Sequence, residues 1–147
     1  MEVLMKNRIG NLALLITFLV SACSGFSDEL TVQDAWARPA KTGENGAIYF
    51  RIANGTNAED VLLGANTDIA EAAEAHMSMQ NNQGVVSMHH QETVQVPAGE
   101  EIAFKPGNLH IMFVNLSRDL KAGDVFILKL RFQNAGEIQL QVKVKEQ

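Results

Sequence analysis

The sequence is short of residues on which much protein chemistry depends. Its 147 residues include one cysteine, one tryptophan, one tyrosine and three prolines. Because the single cysteine is Cys23, the chain forms no intrachain disulfide, and no other thiolate can act as nucleophile or metal ligand. Acidic residues outnumber basic ones, 17 to 12, and the formal net charge at pH 7 is −5. That balance argues against nucleic acid as a partner and against electrostatic attachment to anionic lipid.

Enzyme motifs are also missing. The chain has no Gly-x-Ser-x-Gly elbow, no phosphate-binding loop and no evident pair of carboxylates at catalytic spacing. Adjacent acids such as Glu100 and Glu101 are explained by solvated charge at a turn. We therefore expect a protein that is not an enzyme.

The N-terminus has the pattern of an export signal. Lys6 and Arg8 precede an apolar run over residues 12–20. The run is too short for a transmembrane helix, which needs about 20 residues. It ends at Leu19-Val20-Ser21-Ala22-Cys23, which resembles a bacterial lipobox.

We expect a lipoprotein-type signal peptide over residues 1–22, lipidation of Cys23 and a tether over residues 23–29. The alternative is ordinary cleavage nearby, which leaves a free cysteine. Such a protein is extracytoplasmic (periplasmic) and is held to a membrane by its lipid. The leader carries a net charge of +1, so its removal takes the net charge from −5 to −6.

Residues 30–147 are predicted to form a single all-β domain. Short alternating segments such as 109–116, 125–132 and 137–144 are separated by turns rich in Gly, Asn and Pro. We expect the last two segments to form a hairpin. The segment 69–76 is rich in helix formers, but we favour a strand because the other segments alternate. Many short strands at regular spacing predict an antiparallel β-sandwich or Greek-key barrel.

The chain is well supplied with soft metal ligands in one region. All four histidines and four of the six methionines lie between residues 76 and 112. His110 and Met112 are two residues apart, so on a strand both side chains lie on the same face. Thioether and imidazole together favour Cu(I) over harder divalent ions. The candidate ligands are His76, Met88, His110 and Met112.

Four further residues stay open as additional ligands: Met77, Met79, His89 and His90. On a strand Met77 alternates away from His76 and is expected in the core. Met79 is expected on the face of His76 only if the strand continues. His89 and His90 are adjacent and cannot both face one site. One of them could supplement it for Cu(II), and the alternative is a solvated pair.

The spacing of these residues resembles the signature of the periplasmic PCu(A)C copper chaperones. In that signature a histidine, often followed by methionine, precedes ten residues, a methionine, twenty-one residues and a His-x-Met triplet. Here His76-Met77 precedes the residues 78–87, Met88, the residues 89–109 and His110-Ile111-Met112. Flanking stretches extend the resemblance over roughly residues 30–145: Ala35-Trp36-Ala37-Arg38-Pro39, Val96-Pro97-Ala98-Gly99 and Phe104-Lys105-Pro106-Gly107-Asn108.

The resemblance implies a single cupredoxin-like β-sandwich that carries copper as Cu(I). It implies a monomer that delivers the ion to the dinuclear copper centre of cytochrome c oxidase, beside Sco-like proteins. Two features depart from the pattern. The chain ends at Lys143–Gln147 without the His- and Met-rich tail that adds Cu(II) capacity in some relatives. A lipid anchor is also not universal in the family.

Three other functions are open on the sequence. An electron-transfer cupredoxin needs a cysteine beside two histidines, and Cys23 is far from the cluster. A copper storage or resistance protein would need the same ligands as a chaperone. A metal-free structural lipoprotein would use the methionines as core filler.

Overall fold

The computed structural model describes residues 28–146, and within them all secondary-structure elements are β-strands. The predicted all-β class is therefore confirmed. The ten strands are β1 (Leu30–Ala37), β2 (Gly46–Asn54), β3 (Asp60–Thr67), β4 (Ala70–Gln80), β5 (Val86–His90), β6 (Val94–Val96), β7 (Glu101–Phe104), β8 (Leu109–Leu116), β9 (Val125–Phe132) and β10 (Glu137–Val144).

The strands form one continuous sheet that closes on itself. Seven strands follow one another in the order β4, β8, β2, β1, β10, β9 and β3, and β3 also pairs with β4. The predicted hairpin of β9 and β10 is confirmed. The strand β5 extends the sheet beyond β4 and has no second neighbour among the described strands.

The segment with helix-forming composition is the strand β4. It pairs antiparallel with β8 along one edge and with β5 along the other. Intrinsic helix propensity amounts to a few tenths of a kcal/mol per residue, and two ladders of backbone hydrogen bonds outweigh it. The preference for a strand, expected over residues 70–78, is thereby confirmed.

The strand β8 separates the core from the opposite face of the sheet. Leu109, Ile111 and Phe113 are buried in the core, each at most 5% exposed. His110 and Met112 alternate with them and therefore lie on the other face. Gly46 of the neighbouring strand β2 pairs with Phe113 of β8, and a Cβ atom at Gly46 would lie 2.2 Å from the Phe113 ring. The glycine is required by this close approach.

The loop between β1 and β2 is fixed against the chain that follows β8. Ala40 and Leu120 exchange backbone hydrogen bonds, and the amide of Gly43 donates to the carbonyl of Leu116. The Thr42 amide and hydroxyl both donate to Oδ1 of Asp119, at 2.9 Å each. These bonds lower the pKa of Asp119. The loop therefore has a fixed position beside β8.

Several expectations concern residues outside those described. The signal peptide (residues 1–22), Cys23 and all of the tether except its last two residues belong to that part, and their assignments stay predictions. Within residues 28–146, no helix is long and apolar enough to cross a membrane.

A buried carboxylate joins the start of β3 to the turn after β9. Asp60 is 4% exposed, and its Oδ1 accepts hydrogen bonds from the amides of Val61 and Asn134. Its Oδ2 accepts one from the amide of Ala135 at 2.8 Å. Burial alone would raise the pKa of Asp60, but these backbone donors outweigh burial and hold the pKa below its usual value.

We expect Asp60→Asn to lower the free energy of unfolding at pH 7 by roughly 1.5–3 kcal/mol, the usual contribution of hydrogen bonds to a charged group. A group with a lowered folded pKa stabilises fully above its unfolded pKa of about 3.9 and loses that contribution as the pH falls through the folded value. The difference between the wild type and the variant should therefore shrink from pH 7 to pH 3 in denaturant titrations. Asp68→Asn, at an exposed position, is the control. A difference that is the same at both pH values would contradict this role.

Candidate metal centre

Three histidines lie side by side on one face of the sheet. The register pairs His76 of β4 with His90 of β5 on one side and with His110 of β8 on the other. Residues directly opposite each other on neighbouring strands share a face. The ring centroid of His76 lies 5.3 Å from that of His90 and 6.2 Å from that of His110. His76 is thus the centre of a row of three imidazoles.

The two candidate methionines belong to the same face. Met88 pairs with Ser78, and Met112 pairs with Glu74, and both partners are two residues from His76. Met88, His110 and Met112 line one open cleft of about 360 Å³. The cleft is also lined by residues of the fixed loop after β1 and of the neighbouring strand β2, namely Arg38, Pro39, Ala40, Glu44, Asn45, Gly46, Ala47 and Tyr49. The structure therefore brings three predicted ligands to one cleft and places the fourth, His76, next to His110.

The predicted ligands differ sharply in exposure. His76 and His110 are 8% and 4% exposed, whereas Met88 is 58% exposed. Met112 is half-buried. The imidazoles are thus held within the sheet while one thioether extends into solvent from an edge strand.

Backbone carbonyls fix which nitrogen of each buried ring is available. Nδ1 of His110 lies 2.9 Å from the carbonyl of Asn108, and Nδ1 of His76 lies 3.3 Å from the carbonyl of Glu74. A carbonyl only accepts hydrogen bonds, so each Nδ1 must carry the proton and donate. The Nε2 lone pair of each ring is then free for a metal ion, and the carbonyl orients the ring as an outer partner of a ligand does.

Of the four additional candidate ligands, Met77, Met79 and His89 lie on the opposite face of the sheet from His76. Met77 pairs with the buried Leu109 and packs against the core, where it was expected. His89 pairs with Met77, so His89 and His90 do face opposite ways. For Met79 the expectation was wrong. The strand β4 does continue, to Gln80, but Met79 is three residues from His76 and alternation places it on the opposite face.

Sequence reasoning did not single out Glu74. Its Oε2 lies 3.9 Å from Nε2 of His76 and 3.7 Å from Nδ1 of His90, so these three side chains form a second group of possible ligands. The signal was present, because Glu74 is two residues before His76 and shares its face. Tyr49, whose ring lies 6.4 Å from that of His110, could not have been found because it depends on pairing between distant strands.

Comparison with known proteins identifies the family of this chain. Residues 30–144 match the family described as "Putative lipoprotein LpqE-like". The chain belongs to the LpqE-like lipoprotein family. The matched range contains all of the candidate ligands and leaves Cys23 outside.

Relatives of this LpqE-like chain include a protein of Rickettsia prowazekii, RP573. The two are 31% identical over 137 residues, which cover 85% of this chain and 75% of the relative.

Solved structures with the same fold are PCuAC domains and a related copper protein. The copper-bound PCuAC domain from PmoF2 has a TM-score of 0.68 at 19% identity, and the match covers 81% of this chain and 94% of the PmoF2 domain. The Cu(I) form of DR1885 from Deinococcus radiodurans has a TM-score of 0.60 at 22% identity, and the match covers 84% of this chain and 85% of DR1885. The LpqE-like chain therefore has the PCuAC fold, and the cupredoxin-like sandwich implied by the sequence resemblance is confirmed.

The tautomer of His110 is a direct consequence of this geometry. We expect nitrogen-detected NMR of the metal-free protein at neutral pH to show His110 protonated at Nδ1, because the Asn108 carbonyl requires a donor there. His89 is the comparison, since it is exposed and faces only the Ser87 hydroxyl, at 3.2 Å. A proton on Nε2 of His110 would contradict the assignment of that nitrogen as a ligand.

Proposed function

We propose that this protein is an extracytoplasmic copper chaperone. It binds one Cu(I) ion through His76, Met88, His110 and Met112 and passes it to a partner protein by ligand exchange. Copper is the cargo, and the chain itself is a carrier rather than an enzyme. The observation that carries the proposal is the cleft that Met88, His110 and Met112 share, with His76 beside His110.

The chemistry of the donor set supports Cu(I). Two neutral thioethers and two imidazoles form a soft set without negative charge, which suits a monovalent soft ion. Zn²⁺ usually recruits thiolate, carboxylate or more imidazoles, and Ca²⁺ requires oxygen ligands. The sequence has no cysteine after Cys23, so the thiolate of an electron-transfer copper site is missing. The similar structures named above support copper, as a copper-bound PCuAC domain, and Cu(I), as the Cu(I) form of DR1885.

The exposure of the ligands supports transfer rather than permanent storage. Met88 lies on the edge strand and can be displaced by a ligand of a docking partner while the buried imidazoles still hold the ion. Large apolar side chains are exposed beside it: Val86 shares the face of Met88 on β5 and Val85 directly precedes that strand, each more than half exposed. Exposed apolar patches of this kind are typical of sites for protein partners. We propose the copper-centre subunit of cytochrome c oxidase as recipient, with a Sco-like protein acting beside it.

Membership in a lipoprotein family supports attachment through Cys23. A lipid at that residue would hold the carrier at the membrane surface on the periplasmic side, where an oxidase subunit exposes its copper centre. The short segment between Cys23 and β1 would act as the tether.

Cu(I) binding tests the site. We expect the purified protein to take up one equivalent of Cu(I) in competition with a chromophoric chelator, and Met88→Leu/Met112→Leu to weaken binding by at least about tenfold (about 1.4 kcal/mol). Leucine keeps the apolar volume and removes only the sulfur. Met79→Leu is a matched control because Met79 is 57% exposed and lies on the opposite face of the same hairpin. Equal affinities of the double variant and the wild type would refute the site.

Delivery to the oxidase is tested in cells. Deletion of the gene should reduce cytochrome c oxidase activity at limiting copper, and added copper should restore it. A plasmid with the wild type or Met79→Leu should complement the deletion, whereas Met88→Leu/Met112→Leu should not. Normal oxidase activity in the deletion strain at limiting copper would refute delivery and favour copper buffering.

A further inference from the structure

A second group of possible ligands shares His76 with the set that includes the thioethers. It consists of Glu74 and His76 on β4 and His90 on β5, and their ligand atoms all lie within 4.8 Å of one another. Its donors are one carboxylate and two imidazoles, although Met112 pairs with Glu74 and Met88 is two residues from His90. The group is independent of the motif spacing, which contains neither Glu74 nor His90.

The distances suit one metal ion. Two ligands of a common ion lie at most about 4.2 Å apart, twice a metal–nitrogen bond of about 2.1 Å. Oε2 of Glu74 is within that limit of both rings, at 3.7 Å from His90 Nδ1 and 3.9 Å from His76 Nε2. The remaining pair, the ligand nitrogens of His76 and His90, lies within 4.8 Å. His76 is buried, while the side chains of Glu74 and His90 are about half exposed, so an ion can enter from solvent.

The three groups have lone pairs to offer. Oε2 of Glu74 lies 3.9 Å from His76 Nε2 and 3.7 Å from His90 Nδ1, which exceeds hydrogen-bond length, so neither ring occupies the lone pairs of this carboxylate oxygen. Nδ1 of His76 is committed to the Glu74 carbonyl, which leaves Nε2 directed to the carboxylate. The other two histidines cannot replace His90, because His89 faces the opposite side and His110 lies across His76.

We propose that Glu74, His76 and His90 form a second coordination site that takes a divalent transition ion, Cu(II) most tightly and Zn(II) less tightly. Two imidazoles and a carboxylate are borderline and hard donors, in contrast to the soft thioethers of the cleft. For such donors the affinity order of divalent ions places Cu²⁺ above Zn²⁺. The negative carboxylate also offsets part of the second positive charge, which a neutral set of thioethers and imidazoles does not.

Sharing of His76 makes the two sites exclusive. Its Nε2 is the only nitrogen of that ring with a free lone pair, and both sites require it. The protein would therefore hold either Cu(I) with the two thioethers or a divalent ion with Glu74 and His90, but not both. This exclusion rests on the proposed Cu(I) site, whereas the divalent site itself does not.

Single substitutions separate the two sites. We expect Cu(II) titration of the purified protein, followed by electron paramagnetic resonance, to show one bound ion with nitrogen coupling from two imidazoles. His90→Ala should weaken Cu(II) binding at least about tenfold and leave Cu(I) binding unchanged, and Glu74→Gln should act in the same direction. His89→Ala is the matched control, because it removes the neighbouring exposed histidine from the opposite face. Met88→Leu/Met112→Leu should leave Cu(II) binding intact.

Other outcomes would overturn the inference. Equal loss in His90→Ala and His89→Ala would mean adventitious binding to exposed histidines. Loss of Cu(II) in the methionine variant but not in His90→Ala would place the divalent ion in the cleft. Tighter binding of Zn(II) than of Cu(II) in calorimetry would refute the stated preference. Failure of the Cu(I) titration alone would refute the proposed function and leave the divalent site standing.

Exclusion is tested with Zn(II), which does not exchange electrons with copper. Zn(II) added to the Cu(I)-loaded protein should bind at least about tenfold more weakly than to the metal-free protein. Simultaneous binding of one Cu(I) and one Zn(II) at unchanged affinities would show that His76 is not shared.

Discussion

The register of β4 between β5 and β8 is the constraint on which the rest of the structure depends. His76 faces His90 and His110 only because β4 pairs with both neighbours in one alignment. A slip of one residue on either side would move every side chain of the slipped strand to the opposite face. The core strand β8 secures the alignment on one side, since Leu109, Ile111 and Phe113 must remain buried for the sheet to close. The proposed metal ligands thus gain their positions from hydrophobic packing on the reverse face of the same strands.

Rigid and accessible ligands are divided between the core and the edge of this sheet. His76 and His110 are buried and held by backbone carbonyls, whereas Met88 lies on the exposed strand β5. A carrier needs this division, because ligands that were all buried would release copper slowly and ligands that were all exposed would not define the site. The fixed loop after β1 closes the cleft on the other side and leaves the thioether side open.

Much of the fold could be predicted from the sequence, for identifiable reasons. The strands over residues 109–116, 125–132 and 137–144 have the predicted bounds, because turn residues flank each of them and their side chains alternate. The composition of the segment after Ile69 favours a helix, but the segment forms the strand β4. Only its pairing with β8 decides between the two. Face assignments follow from alternation, which also places Met79, three residues from His76, on the face opposite to the expected one. The proximity of Glu74 to His90, and of Tyr49 to His110, could not be predicted, because it depends on which strands become neighbours.

The central claim is that copper is bound by sulfur and nitrogen together at His76, Met88, His110 and Met112. X-ray absorption at the copper edge of the Cu(I)-loaded protein tests it most directly, because the scattering distinguishes sulfur from nitrogen or oxygen ligands. The account predicts two sulfur and two imidazole nitrogen ligands around Cu(I). A first shell of nitrogen and oxygen alone would contradict it.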